Sequence, residues 1–346
     1  MEGAFILEKL ILVVVVFTVT LVIAMYSTLA ERKIAGFMQD RYGPDRAGIF
    51  GILQPLCDGG KFFFKEEIIP AGAHKTLFIL GPVIAIITAC ISSAVIPWGQ
   101  DLVINGRTVS LQVADVNIGV LYVFGVIALG VYGIMLGGWA SNNKFSLMGA
   151  IRAASQSISY EIGMGLSLIA LLMVTGTLQL GEIVAQQSGF VNWNIWVQPL
   201  GFLIFITCAF AECNRVPFDL PECETELVGG YHTEYSSMKL GLYMFSEYIN
   251  MFVSSALMAT LYFGGYNFPF MYDLGLSQNW ITIIGVLVFF LKIFGFIFFF
   301  MWIRWTLPRF RYDQLMNLGW KILIPLAIAN IVLTGVITLI KDTYFQ

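Results

Sequence analysis

Eight stretches of about 17 to 25 residues without a charged side chain punctuate the chain, near 10–30, 76–96, 116–140, 162–181, 195–211, 248–272, 274–291 and 322–340. At 1.5 Å per helical residue, ~20 residues cross the ~30 Å hydrocarbon core of a bilayer. Inside that core every backbone polar group must be satisfied within the chain, and for single apolar runs of this length only the helix does so. The expected architecture is an all-α polytopic membrane protein of about eight transmembrane helices, near 8–30, 75–96, 117–139, 157–177, 197–213, 240–263, 280–303 and 319–341. Composition agrees: 58% of the 346 residues are hydrophobic and 12% charged, where a globular domain carries about 25% charged residues. The apolar runs leave no room for a soluble domain, so residues 1–346 read as a single membrane domain. The first run is longer than the apolar part of a signal peptide, and Glu2 and Glu8 spoil a basic leader. It reads as a retained helix.

Lysine and arginine are unevenly shared among the connections. One side holds Arg32, Lys33, Arg41, Arg46, Lys61, Lys65, Lys75, Lys144, Arg152, Arg215, Lys239, Arg304, Arg309, Arg311 and Lys321, while the other holds Lys9, Arg107 and Lys341, with Lys292 inside a helix. The positive-inside rule then puts the long connections in the cytoplasm and both termini outside. On the outer side, Asn105-Gly106 between alternating β-formers suggests a type I′ hairpin. LQLGEIVAQQ suggests a short interfacial helix, and Trp193 and Trp196 fit an aromatic belt.

Several chemistries are excluded at this level. The five cysteines contain no CxxC pair, so neither a disulfide framework nor a four-thiolate cluster is indicated. His74 and His232 both lie outside the apolar runs, leaving no axial ligands for a haem within the helices. A retinal-binding lysine is disfavoured because the first three helices offer no carboxylate counter-ion.

Away from the extreme ends of the expected helices, four acidic or basic side chains fall clearly within them: Glu161, Glu212, Glu247 and Lys292. A central charge costs roughly 2.5–3.5 kcal/mol on insertion scales, so these side chains should face protein or water. Glu161 and Glu212 lie within about a turn of the inner boundary, where snorkelling is an alternative. Glu247 lies about two turns inside, and Lys292 near mid-helix needs a buried partner or water. The connection over 214–239 is acidic, with Asp219, Glu222, Glu224, Glu226 and Glu234 against Arg215 and Lys239. It is read as a cytoplasmic loop, and its apolar residues, Phe218 among them, suggest that it folds into the protein. The connection over 31–74 mixes cations, aromatics and Gly-Pro turns. It reads as an amphipathic interfacial segment, or as the lip of a site that admits an apolar ligand from lipid.

The blocks ERKIAGFMQDRYGP, LQPLCDGGKFFFKE, GWASNNKFSLMGAIRAASQSISYE, AECNRVPFDLPECETELVGGYHTEYSSMK with SEYIN, and RWTLPRFRYDQLM resemble, in order, the H-type family of complex I, subunit 1 in mitochondria. The resemblance implies an eight-helix core with both termini outside, in a bacterial inner membrane rather than an organellar one. It implies a heel subunit of NADH:quinone oxidoreductase, with quinone, either ubiquinone or menaquinone, entering from the bilayer as substrate. Arg32, Gln39, Arg41, Gly43 and Pro44 match the family's motif for the quinone chamber, to which Phe218 is also assigned. Glu161, Glu212 and Glu247 match its buried acids; Asp219, Glu222, Glu224, Glu226 and Glu234 fall in its acidic loop. These carboxylates are the implied proton-coupling groups. No metal or flavin is implied for this chain. Partners would be peripheral-arm iron–sulfur and quinone-site subunits, antiporter-like and small membrane-arm subunits, and lipid, with no nucleic acid. Some relatives carry an acid on the third helix, where 117–139 has none. A related coupling chain of a membrane-bound hydrogenase is the nearest alternative. A secondary transporter is a more distant one, since no internal repeat is found.

Overall fold

A computed structural model describes residues 2–104, 106–221, 224–269, 271 and 275–344. In chain order the helices are α1 (Glu2–Met38), α2 (Gln54–Phe64), α3 (Lys75–Ser92), α4 (Gly119–Ala140), α5 (Lys144–Thr175), α6 (Leu180–Gln186), α7 (Asn194–Val197), α8 (Pro199–Glu212), α9 (Glu224–Leu227), α10 (Ser237–Tyr262), α11 (Gln278–Thr306), α12 (Tyr312–Asn317) and α13 (Ile324–Tyr344). A π-helical turn over Leu318–Leu323 leads into the last. The protein is thus an all-α polytopic membrane protein. Its one described hairpin pairs β1 (Leu102–Ile104) with β2 (Arg107–Val109), aligning Val103 with Thr108. Asn105 of the expected turn lies outside the described residues, while Gly106 takes the left-handed conformation that such turns need.

Helices stand at all eight expected places, but among the described residues six meet the length and apolarity of a membrane crossing. The other two depart for different reasons. Helix α8 has 14 residues, or ~21 Å at 1.5 Å per residue, short of the hydrocarbon core. Helix α10 is long enough at 26 residues, but it carries Lys239, Glu247 and a series of serines. Its side chains from Met251 to Tyr262 are buried in protein rather than facing lipid. Ser255 and Thr260 return their hydroxyls to the carbonyls of Met251 and Ala256, so their polarity costs little there. Other helices overrun their apolar runs: α1 continues to Met38 and α5 begins at Lys144 rather than near 157. A charge ends the hydrophobic run, not the helix.

Around α10 the bundle closes through small residues. A Cβ on Gly133 would stand 2.8 Å from the carbonyl oxygen of Gly81, so α3 and α4 approach as closely as backbones can. One turn on, a Cβ at Gly137 would collide with the Tyr243 hydroxyl. The space these glycines leave admits Tyr243 of α10, which donates to the carbonyl of Gly133 at 2.9 Å.

Candidate functional site

Two of the three expected acids line one cavity, and the third stands on a helix that also reaches it. Glu212 is the last residue of α8, and Glu247 sits in the first half of α10; each is 9% exposed. Both line a cavity of about 30 Å³ together with Ser157, Asn214, Tyr231 and Ser246. That volume and those polar walls suffice for a water molecule. The Tyr231 hydroxyl donates to Glu247 Oε1 at 2.9 Å. Among the described residues no group bonds to Glu212 Oε2. Glu161 of α5 is half-buried, one helical turn past the cavity residue Ser157. Two carboxylates lining so small a space cannot both be charged without mutual repulsion, so the protonation of Glu212 depends on that of Glu247.

Gln156 fixes the chain beside this cavity. Its amide nitrogen donates to the carbonyls of Ala211 and Phe218, both at 2.8 Å, tying the end of α8 to the acidic connection. Phe218 is 3% exposed and packs between Tyr160 and Phe310, at ring-centroid distances of 5.4 and 5.5 Å. It supports the connection rather than presenting open surface. The remaining acids of the connection are held apart by different partners. Asp219 pairs with Arg309 at 2.9 Å, Glu226 with Arg152 at 2.5 Å, and Glu234 accepts from the Asn143 amide at 2.5 Å. Glu222 lies outside the described residues, as does the side chain of Glu224.

A second buried cluster escaped the sequence reading. Glu31, 6% exposed near the end of α1, lies 3.3 Å from Arg215 Nη1 and 2.6 Å from Arg304 Nη1. The Tyr248 hydroxyl donates to the same carboxylate at 2.9 Å, and the Arg215 guanidinium lies over the Tyr248 ring at 4.1 Å. Two guanidiniums to one carboxylate leave positive charge in excess. Tyr248 follows Glu247 and Arg215 is three residues past Glu212, so both elements that carry the cavity acids also enter this cluster. Glu31 was overlooked because the first charge-free run ends at Ala30, which assigned it to the connection. Its signal was an acid directly before Arg32-Lys33 on a helix whose pattern does not stop there.

The residues expected at the quinone lip stand on the exposed edge of the molecule. Arg32 pairs with Asp58 of α2 at 2.7 Å, and Gln54 donates to the other oxygen of that carboxylate at 3.0 Å. Partial burial acts to raise the Asp58 pKa, but the Gln54 bond, the Arg32 charge and Lys61 outweigh it and hold the carboxyl below its usual range. Arg41 donates to Gln39 at 2.8 Å, both exposed. The turn between α1 and α2 folds back tightly: a Cβ on Gly43 would be 2.9 Å from the Lys33 Cα. Helix α2 rests Phe62 against Gly241 of α10 and turns Leu56, Phe63 and Phe64 outward.

A sequence profile of the NADH dehydrogenase family matches residues 10–335. Across 331 residues, 96% of each chain, the sequence is 70% identical to an H-type chain of NADH-quinone oxidoreductase from Cytophaga hutchinsonii. It is 63% identical to the H-type chain of NADH-quinone oxidoreductase from Flavobacterium psychrophilum over 342 residues, 98% of this chain and 99% of that one. The chain belongs to the H-type family of NADH-quinone oxidoreductase subunits. Identity persists at 47% with an H-type relative from Koribacter versatilis over 97% of this chain. The resemblance read from the sequence blocks is therefore borne out along nearly the whole length.

Proposed function

We propose that this chain is the membrane-arm heel subunit of a bacterial inner-membrane NADH-quinone oxidoreductase. In that role it forms much of the quinone-access chamber and couples quinone reduction to proton translocation. The single observation that carries the coupling role is the shared cavity of Glu212 and Glu247, with Glu161 beside it, built from three helices distant in sequence. The names of the relatives favour quinone over the hydrogenase alternative.

Electrons would come from an iron–sulfur partner subunit, and reduction of quinone to quinol takes up two electrons and two protons. The chamber's opening falls to Arg32, Gln39 and Arg41 beside the outward apolar face of α2. A change of charge there reaches the cavity acids through the Glu31–Arg215 cluster, because buried charges are screened far less than exposed ones. Antiporter-like subunits alongside receive the shift. The acidic connection contributes Asp219, Glu222, Glu224, Glu226 and Glu234 to the same charge balance.

Replacing Glu212 or Glu247 by Gln keeps the shape and removes a titratable site. In assembled complex, each variant is expected to lose most NADH:quinone activity, about a hundredfold or more, the lower end of the range of general acid–base effects, while NADH oxidation by a hydrophilic acceptor persists. Full quinone turnover with an unchanged proton gradient in an assembled variant removes that residue from the relay.

A further inference from the structure

Lys292 has no carboxylate partner among the described residues, yet its ammonium is fully engaged by hydrogen bonds. Its ammonium donates to three backbone carbonyls, those of Phe263 at 2.7 Å, Gly265 at 2.8 Å and Asn267 at 2.6 Å. It also lies 4.7 Å from the centre of the Trp193 ring. These carbonyls belong to the cap of α10 and the turn that follows, where Gly264 and Gly265 adopt left-handed backbone. Lys292 stands fourteen residues from either end of α11, ~21 Å at 1.5 Å per residue. Helix α10 therefore ends deep inside the bundle, not at its rim.

A helix ending at such depth has two problems. Its last carbonyls lack partners within the helix, and its dipole leaves about half a negative charge at that end. Unsatisfied backbone at membrane depth is tolerated only when protein provides the partners. Here the partners are built in. Gln187 donates to the Thr260 carbonyl at 3.0 Å and accepts from the Gly264 amide at 3.0 Å, and Asn194 donates to the Leu261 carbonyl at 2.8 Å. Lys292 takes the carbonyls of the cap and of the following turn, Phe263, Gly265 and Asn267, and brings a positive charge to the helix end.

We propose that Lys292 is a positioning residue for Glu247: its ammonium fixes how far α10 reaches along the bundle and so where Glu247 meets Tyr231 and the cavity it shares with Glu212. The inference rests on the coupling role proposed for Glu247. Glu247 lies sixteen residues before Phe263 on one continuous helix, so an axial displacement at the clamp reaches it undiminished. Between the two, Ser254, Ser255, Ala256 and Ala259 share the buried surface of α10 with Phe252, Met258 and Tyr262, a packing that holds the helix without directional bonds. Directed hydrogen bonds at the end supply the stop.

The test uses the intact complex in lipid vesicles with Lys292→Met, which keeps length without charge or donors, and Lys292→Arg, which keeps both. Hydrogen exchange read at the amides of Gly264, Gly265 and Asn267 is expected to accelerate at least tenfold in the Met variant. The pH profile of NADH:quinone turnover should shift in the same variant, and Arg should restore both. Lys292→Gln, which removes the charge but keeps an amide donor, provides a milder probe should the Met variant fail to assemble; a few-fold acceleration is expected. Unchanged exchange in whichever variant assembles overturns the clamp, and accelerated exchange with an unshifted pH profile overturns the positioning role. Failure of the coupling reading shows separately, as normal turnover in Glu247→Gln.

Discussion

Glu31 carries two guanidiniums and a phenol on one carboxylate with almost no access to solvent. Its loss leaves Arg215, 4% exposed, without the anion that offsets its burial. Removing one partner of a buried pair costs about 3–5 kcal/mol, while a partly exposed partner contributes about 1 kcal/mol or less. Glu31→Gln should therefore lower the thermal midpoint and the yield of assembled complex far more than Arg304→Gln, whose guanidinium is the more exposed of the two. Native gels and thermal scanning of the purified complex read both, and equal losses would show that Arg215 does not depend on Glu31. At this scale the sequence showed part of the site. Glu161, Glu212, Glu247 and Lys292 are visible because each interrupts or adjoins an apolar run, and such a charge needs protein around it. Glu31, Tyr231 and Tyr248 are not, because the contacts between them join positions 16 to 217 residues apart.

The elements were legible in kind and less so in extent. Hydrophobic runs report the thickness of the hydrocarbon core, so α1, α5 and α13 extend past the runs that revealed them. The short α8 and the buried end of α10 could not be separated from full crossings, because an apolar run reads alike against lipid and against protein. The connection carrying Arg41 was legible through its basic, aromatic and Gly-Pro character, and it forms an exposed turn and the amphipathic α2. Arg41 bonds only Gln39 through its side chain among the described residues, and exposed polar pairs of this kind contribute about 0–1 kcal/mol. Arg41→Ala should hence leave folding and assembly intact while raising the quinone KM or lowering turnover severalfold, with the rate to a hydrophilic acceptor unchanged. Wild-type quinone kinetics in the assembled variant would take Arg41 out of the chamber.

At the level of the whole molecule the charge asymmetry and the buried acids belong to the same end. The tips of α1 and α11, the start of α5 and the acidic connection meet there, through Glu31–Arg304, Arg215–Glu31 and Arg152–Glu226. With fifteen cations on one side against three on the other, the positive-inside rule predicts that this end faces the cytoplasm. The orientation is testable with single cysteines and a membrane-impermeant thiol reagent, provided the background is silent. Exposed Cys57, half-buried Cys90 and Cys223 of the acidic connection must be replaced, whereas Cys208 and Cys213 are buried. Suitable probes are exposed residues: Asp45, Glu226 and Arg311 at the basic end, Gly106, Gln186 and Lys341 at the other. In intact cells, cysteines at 106, 186 and 341 should label within minutes, while those at 45, 226 and 311 should label only after permeabilisation. Labelling of position 341 only after permeabilisation would place the carboxyl terminus in the cytoplasm. It would also carry the Glu212–Glu247 cavity and the edge bearing Arg32 and Arg41 together to the outer face, away from the side on which the proposed peripheral arm would dock.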